Sequence, residues 1–251
     1  MSEDFYVGYL PVPQKNRRFL FKAVPAGLLG LTAVGGFVGA RAASAGGGRW
    51  ETGTPVTLEG RVGFHPQPIL WSEGPNGLQA IVLAGIGKKG VDPYVKPFEG
   101  QSVRVTGIRI VRDDCFMLGV AEGNIEAIDA DLPPLPEPVF ESDVSLMGEI
   151  VDAQCFMGIM NPGYGRTHRG CATLCIRGGQ PVYFSTDVSR KDHGASTGCG
   201  GVGFLLARED GSKINADILD MVSRPVTLSG TLETLGPLKR LRLQTGSMKK
   251  V

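Results

Sequence analysis

Residues 23–40 read AVPAGLLGLTAVGGFVGA, eighteen consecutive positions without a charge. Glycine and alanine dominate the run, and no amphipathic period runs through it. It is therefore poorly suited to be the one-faced helix of a soluble core. Its length falls at the lower edge of a membrane span, roughly 17–25 residues. Lys15, Arg17, Arg18 and Lys22 precede it and Arg41 follows. The excess of positive charge on the N-terminal side predicts a cytoplasmic leader, residues 1–22. It also predicts a single pass through a bacterial inner membrane over residues 23–41, with the bulk of the chain in the periplasm.

A second reading of the same segment is an export signal. Arg17-Arg18 followed by Phe19-Leu20 resembles the twin-arginine signal. Ala43-Ser44-Ala45, ahead of three glycines, has the A-x-A form of a cleavage site. Cleavage there would leave a soluble periplasmic protein. The long leader, with its prolines and aromatics, favours an uncleaved anchor. Twin-arginine export carries folded proteins, which modestly favours a cofactor inserted before export.

Beyond a glycine-rich linker, residues 42–55, the chain turns to short alternating strands. The segments 56–64, 68–71, 78–83, 102–110 and 115–120 alternate or run apolar between turn residues. Thirty-seven glycines and seventeen prolines suit many turns better than long helices. A proline-rich linker, residues 131–143, then separates this module, residues 56–130, from a second, residues 144–251. The second opens on VSLMGEIVD, an echo of VTLEGRVGF with glycine at the matching place. Strands are expected over 181–184, 202–207, 225–232 and 238–243, with a short helix over 215–222. The expected class is all-β: an N-terminal transmembrane helix, then two tandem OB-like barrels, the second with a helical Cys/His insertion at 153–180. Barrels of this kind often bind nucleic acid. A formal charge of +1 and 7% aromatic residues provide no basic, stacking groove for it.

The chemistry concentrates in that loop. Cys155, His168, Cys171 and Cys175 follow the spacing C-x12-H-x2-C-x3-C, in a chain with only five cysteines and three histidines. A helix over 167–176 would place His168, Cys171 and Cys175 on one face, at i, i+3 and i+7. Cys155, at the end of the preceding strand, could then fold back onto them. One imidazole and three thiolates make a tetrahedral set for a zinc ion. The same soft donors suit a copper ion, with Met157 and Met160 as candidate thioethers. A disulfide from Cys155 to Cys171 or Cys175 is the structural alternative. A redox-active dithiol is a third, although no C-x-x-C is present. His193 and Cys199, in the glycine-rich loop KDHGASTGCGG, are possible additional ligands. Cys115 reads as a packed thiol and His65 as an exposed side chain. No G-x-S-x-G or other tied nucleophile supports hydrolytic catalysis.

The segment Gly148-Glu149-Ile150-Val151-Asp152-Ala153-Gln154-Cys155, followed by His168-Arg169-Gly170-Cys171-Ala172-Thr173-Leu174-Cys175 with Gly179 and Pro181, carries a resemblance. It resembles bacterial exported and membrane-anchored proteins that share G-x-[IV]-V-D-x-x-C and H-x-x-C-A-x-x-C-x-x-x-G-x-P. Longer members are associated with respiratory cytochrome b and Rieske subunits. The resemblance implies export and a Cys–His set that acts as one unit, and it assigns no catalytic residues. Together these features predict a membrane-anchored periplasmic accessory or subunit of a respiratory electron-transfer complex, not itself an enzyme. The alternative is a periplasmic thiol–disulfide or metal-dependent oxidoreductase using Cys171 and Cys175.

Overall fold

The computed structural model describes residues 12–41, 48–112, 115–160, 162–186 and 203–251. The chain divides into two compact units, residues 1–44 and 45–251. The first contains α1, Gln14–Arg41, a 28-residue helix with Pro25 inside it. At 1.5 Å per residue it is about 42 Å long. Its apolar side chains, Phe19, Leu28, Leu29, Leu31, Phe37 and Val38 among them, are exposed on all sides. The stretch Gln14–Ala40 is long and apolar enough to cross a membrane, and a signal sequence meets the same description. Thr32 donates its hydroxyl to the Leu28 carbonyl at 2.8 Å, so the one hydroxyl of the apolar run is satisfied within the helix.

The second unit holds two closed five-stranded barrels. After a two-residue strand β1, Arg49–Trp50, the first barrel comprises β2, Val56–Phe64; β3, Pro68–Gly74; β4, Gly77–Gly85; β5, Ser102–Arg112; and β6, Cys115–Ala127. Neighbours around it run β2-β3-β4-β6-β5 and back to β2. All these pairs are antiparallel except β4 with β6. A parallel pair needs a crossover. The chain supplies it through α2, Asp92–Val95, and a 3-10 turn, Lys96–Phe98.

The second barrel repeats the arrangement with β7, Val139–Asp152; β8, Val182–Ser185; β9, Phe204–Ala207; β10, Pro225–Leu235; and β11, Leu238–Leu243. Its circuit is β7-β8-β9-β11-β10, again with one parallel pair, β9 with β11. A short strand β12, Lys249–Lys250, pairs with β10. The helix expected over 215–222 is a run of turns instead. Pro225 follows soon after, and Ser223, at φ 53°, turns the backbone out of the helical path. Between β7 and β8 lies α3, Gly165–Arg177. The loop 187–202, with His193 and Cys199, lies outside the described residues.

Alternating apolar positions on each strand fill three cores. One is inside the first barrel, around Val62, Leu70, Leu83 and Val105. One is inside the second, around Ile150, Phe184, Leu206 and Leu241. The third is shared: Ile69, Trp71, Ala84 and Met117 meet Val151, Phe156, Tyr183 and Leu238. Cys115 belongs to this shared core, in keeping with a packed thiol. His65 is half-buried, edge-on to Trp71 at 5.9 Å between ring centroids, and not exposed as the sequence suggested. The proline segment is docked as well. Arg61 donates to the Leu132 carbonyl at 2.8 Å and to the Pro133 carbonyl at 3.1 Å.

Polar contacts lock one loop of the first barrel, residues 85–90, onto the second. The Gln180 amide lies within 3.0 Å of the carbonyls of Gly85, Gly87 and Lys89. Gln154 donates to Gly85 as well, and Gly90 N–H donates to the Gly178 carbonyl at 2.8 Å. Asn215 completes the seam by donating to the carbonyls of Ile176 and Gln180. The contact is so close that a Cβ on Gly178 would stand 1.8 Å from the Lys88 carbonyl oxygen. A Cβ on Gly170, in the interior of α3, would meet nothing within 4 Å. Gly178→Ala should therefore destabilise the chain by about 1–3 kcal/mol, the range for overpacking a tight contact. Gly170→Ala should stabilise it by about 0.5–1 kcal/mol, as expected for glycine in a helix interior. Urea unfolding of both variants against the parent checks the pair.

Candidate metal centre

Strand β7 ends at Asp152, and Ala153-Gln154 curl directly into a single π turn, Cys155–Ile159. The turn is packed tightly on both sides. A Cβ on Gly158 would meet the Arg49 backbone at 2.5 Å, and one on Gly163 would meet the Cys155 carbonyl oxygen at 2.4 Å. Residues 158 and 163 thus need to be glycine for close approach, and that approach fixes Cys155 beneath α3. The helix begins at Gly165, whose φ of 74° reverses the chain. Its first N–H has no side-chain cap from Tyr164. The Glu149 carboxylate, reaching across from β7, accepts that N–H. A carboxylate at a helix N-terminus also meets the positive end of the helix dipole.

His168, Cys171 and Cys175 project from one face of α3, as the i, i+3, i+7 spacing dictates. His168 is 3% exposed and Cys175 1%, while Cys171 is partly exposed. From below, Cys155, 3% exposed, meets them. The Sγ atoms of Cys155 and Cys171 and a ring nitrogen of His168 all lie within 4.8 Å of one another. A second group shares Cys155: an Asp152 oxygen, Cys155 Sγ and Cys175 Sγ lie within the same limit. In a zinc–thiolate site with Zn–S of about 2.3 Å, ligand atoms stand about 3.8 Å apart. Small side-chain adjustments would close the first group on an ion, so the Cys/His/Cys set could hold a metal.

The polar atoms of the site point the same way. Asp152 is fully buried; one oxygen accepts the Gln154 N–H at 3.1 Å, and Oδ2 has no hydrogen-bond partner among the described residues. His168 Nε2 is buried without a partner too. An unpaired buried polar group costs about 1–3 kcal/mol. The unpaired His168 nitrogen beside the thiols is compatible with a bound cation, while the Asp152 carboxyl as a whole is tied to Cys155 and Cys175 by hydrogen bonds.

Electrostatics tune each group. Burial pushes the Asp152 carboxyl up, against the nearby thiols and His168. Burial holds the His168 imidazole below its usual value, with Asp152 opposing and Lys88 reinforcing. The hydrogen bond between Cys155 and Cys175 drives the pair apart, Cys155 up and Cys175 down. Lys88, from the clamped loop, donates its ammonium to Cys171 Sγ at 2.9 Å and reaches Cys175 Sγ at 3.6 Å. The ammonium is held well above its usual range, chiefly by the Cys171 contact.

The structure thus brings the four sequence-derived candidates, Cys155, His168, Cys171 and Cys175, to one place, with the thiols unbridged. Met157 is buried in the shared core, and Met160 is exposed. His193 and Cys199 fall outside the described residues. Arg17 and Arg18 lie in the first turns of α1. Sequence reasoning missed Asp152 and Lys88. Asp152 is signalled by a carboxylate where an otherwise apolar strand end enters the core. Lys88 is 83 positions from Cys171 and carries no local signal. No family model matches the chain, and the comparisons with curated proteins and with solved structures found no match.

Glu149 offers a test of how the helix is seated. It is buried, and burial raises its carboxyl above the usual 4.5 despite the Gly165 N–H and Arg169 that favour the anion. The folded state then binds the Glu149 proton more tightly than the unfolded chain. Its contribution to stability is complete below pH 4.5 and is lost as pH rises through the elevated folded value. Glu149→Gln keeps an acceptor for Gly165 and removes the buried charge. It should gain stability at neutral pH, and the gain should vanish below about pH 4.5. Denaturant midpoints of the two proteins across pH check this.

Proposed function

We propose that the chain is a membrane-tethered metal-binding protein, with the second barrel presenting a single soft transition-metal ion. The observation that carries this reading is the convergence of Cys155 Sγ, Cys171 Sγ and a ring nitrogen of His168 within 4.8 Å of one another, with Cys175 sharing a second such group with Cys155 and with His168 Nε2 buried without a partner among the described residues. Cys155, His168, Cys171 and Cys175 would hold the ion, zinc or copper(I), whose affinity for thiolate and imidazole matches the donors. Bound there, it would supply a fixed charge or an electron-transfer centre.

Both barrels are read as OB-like. The support is their shared circuit, first-second-third-fifth-fourth strand with one parallel closure, and a crossover between third and fourth strands. On this reading the segment bearing α3 is a functional insertion between the first and second strands of the second barrel. The cationic leader, with Lys15, Arg17, Arg18 and Lys22, supports inner-membrane insertion with the N-terminus inside and the barrels in the periplasm. The twin-arginine pair supports export in the folded, loaded state. The partner we favour is a cytochrome b or Rieske-type subunit of a respiratory complex, for which the protein would be an accessory without catalysis of its own. No role in nucleic-acid binding is proposed.

One contact favours a rival. The Lys88 ammonium against the partly exposed Cys171 is a setting that stabilises a thiolate, which suits a thiol–disulfide oxidoreductase using Cys171 and Cys175. Metal content separates the two. Anaerobically purified full-length protein should carry one ion per chain. Cys155→Ser, Cys171→Ser and His168→Ala should each lose it, and Cys115→Ser should keep it. Chelation should lower stability by about 4 kcal/mol relative to protein with free metal at a thousand times its Kd. Metal-free protein whose Cys171 alkylates rapidly at neutral pH would support the rival instead. Membrane sedimentation with an intact N-terminus tests the anchor, and a mature chain beginning after Ala45 would replace it with a cleaved signal.

A further inference from the structure

Lys88 has no place among the ligands, yet its ammonium contacts two of their sulfur atoms. Its side chain is exposed, but the backbone beneath it is fixed by Gln154 and Gln180 at the carbonyls of Gly85, Gly87 and Lys89. A Cβ added to Gly85 or Gly178 would strike the Lys89 or Lys88 carbonyl oxygen, so the loop has no room to settle deeper or slide. The ammonium therefore stands at one corner of the site, 2.9 Å from Cys171 Sγ and 3.6 Å from Cys175 Sγ.

The other charges around the pocket come from every element that packs on it. Asp152 faces the thiols from the end of β7. Glu149, further back on β7, is engaged with the Gly165 N–H, and Arg169 of α3 donates to the Ser223 carbonyl. Arg112 of β5 donates to the Phe156 carbonyl and stacks on the Phe156 ring. Among the described residues, Lys88 is the one cation whose charge is directed at the sulfur atoms themselves.

This rests on the metal-binding reading and deepens it: we propose that Lys88 sets the charge preference of the site, biasing it toward a monovalent soft ion, copper(I), over divalent zinc. Repulsion between the ammonium and an ion among the thiolates rises in proportion to the ion's charge, so a divalent ion bears twice the penalty. Ammonium hydrogen bonds to Cys171 and Cys175 also withdraw electron density from those thiolates. Zinc draws on four full donors. Copper(I) selects soft thiolate ligands and needs no fourth donor, so the three-atom group of Cys155, His168 and Cys171 serves it even with the ammonium still hydrogen-bonded at Cys171.

The test measures affinities for copper(I) and for zinc separately, by anaerobic competition against chromophoric chelators, on the full-length protein in detergent. The parent is compared with Lys88→Leu, which removes the charge from an exposed side chain without adding a donor atom, and with Lys88→Arg, which keeps it. Lys88→Leu should tighten zinc binding about tenfold more than copper(I) binding, equivalent to about 1.4 kcal/mol of altered selectivity. Lys88→Arg should leave the ratio near that of the parent. If Lys88→Leu shifts both affinities equally, or leaves both unchanged, the charge-selection role is overturned while the metal site stands. If the parent binds neither ion, the metal-binding reading fails and this inference falls with it.

Discussion

The arrangement depends on one amide. Gln180 follows the end of α3 by three positions and reaches three carbonyls on a single loop of the other barrel. A primary amide has two N–H donors, so its hydrogens are shared among acceptors it cannot fully saturate. That geometry exists only when the carbonyls of Gly85, Gly87 and Lys89 turn inward together, which glycines at 85, 87 and 90 permit. The side chain is fully buried. Without the loop, its amide would be an unsatisfied donor in the interior; without the amide, the carbonyls of Gly87 and Lys89 would lose this donor and Gly85 would keep only Gln154. Each half thus satisfies polar groups of the other, and α3 is held at its C-terminal end by a part of the chain more than ninety positions away.

The site itself runs against the general economy of protein interiors. A fully buried carboxylate and a buried imidazole with unsatisfied atoms are both unfavourable. They persist because apolar packing around them is dense: Ala172 and Ile176 face the second barrel's core, and Phe156 and Val151 anchor the other side. The same helix therefore has one stripe that stabilises the fold and another that strains it. Such local strain, held in place by a stable surround, is the usual condition of a binding site.

Much of this was legible in the residues. Period-two alternation gave the strands, because side chains on a strand point to opposite faces. The i, i+3, i+7 spacing placed His168, Cys171 and Cys175 on one helical face, and α3 spans two residues more at its start and one more at its end than the expected helix. The stretch 215–222 was misread because Ile218, Leu219 and Val222 have helix-like spacing. In the fold, Ile218 and Val222 reach the second core from consecutive turns, and burial overrode the local preference. Lys88 and Gln180 were illegible for a different reason. Their roles come from contacts 83 and 91 to 95 positions distant, and nothing in a local window distinguishes them from any other lysine or glutamine.

Arg61 ties the proline segment to the first barrel at the carbonyls of Leu132 and Pro133. That segment is the covalent link between the barrels, and Arg61 pins it to the first. With that tie at one side and the Gln180 amide at the other, the barrels are joined at two separate places. On the metal-binding reading, an ion would enter at the rim where Cys171 is partly exposed, beside the Lys88 side chain. Entry there would need rotation of an exposed side chain, a picosecond-to-nanosecond motion, and no separation of the barrels.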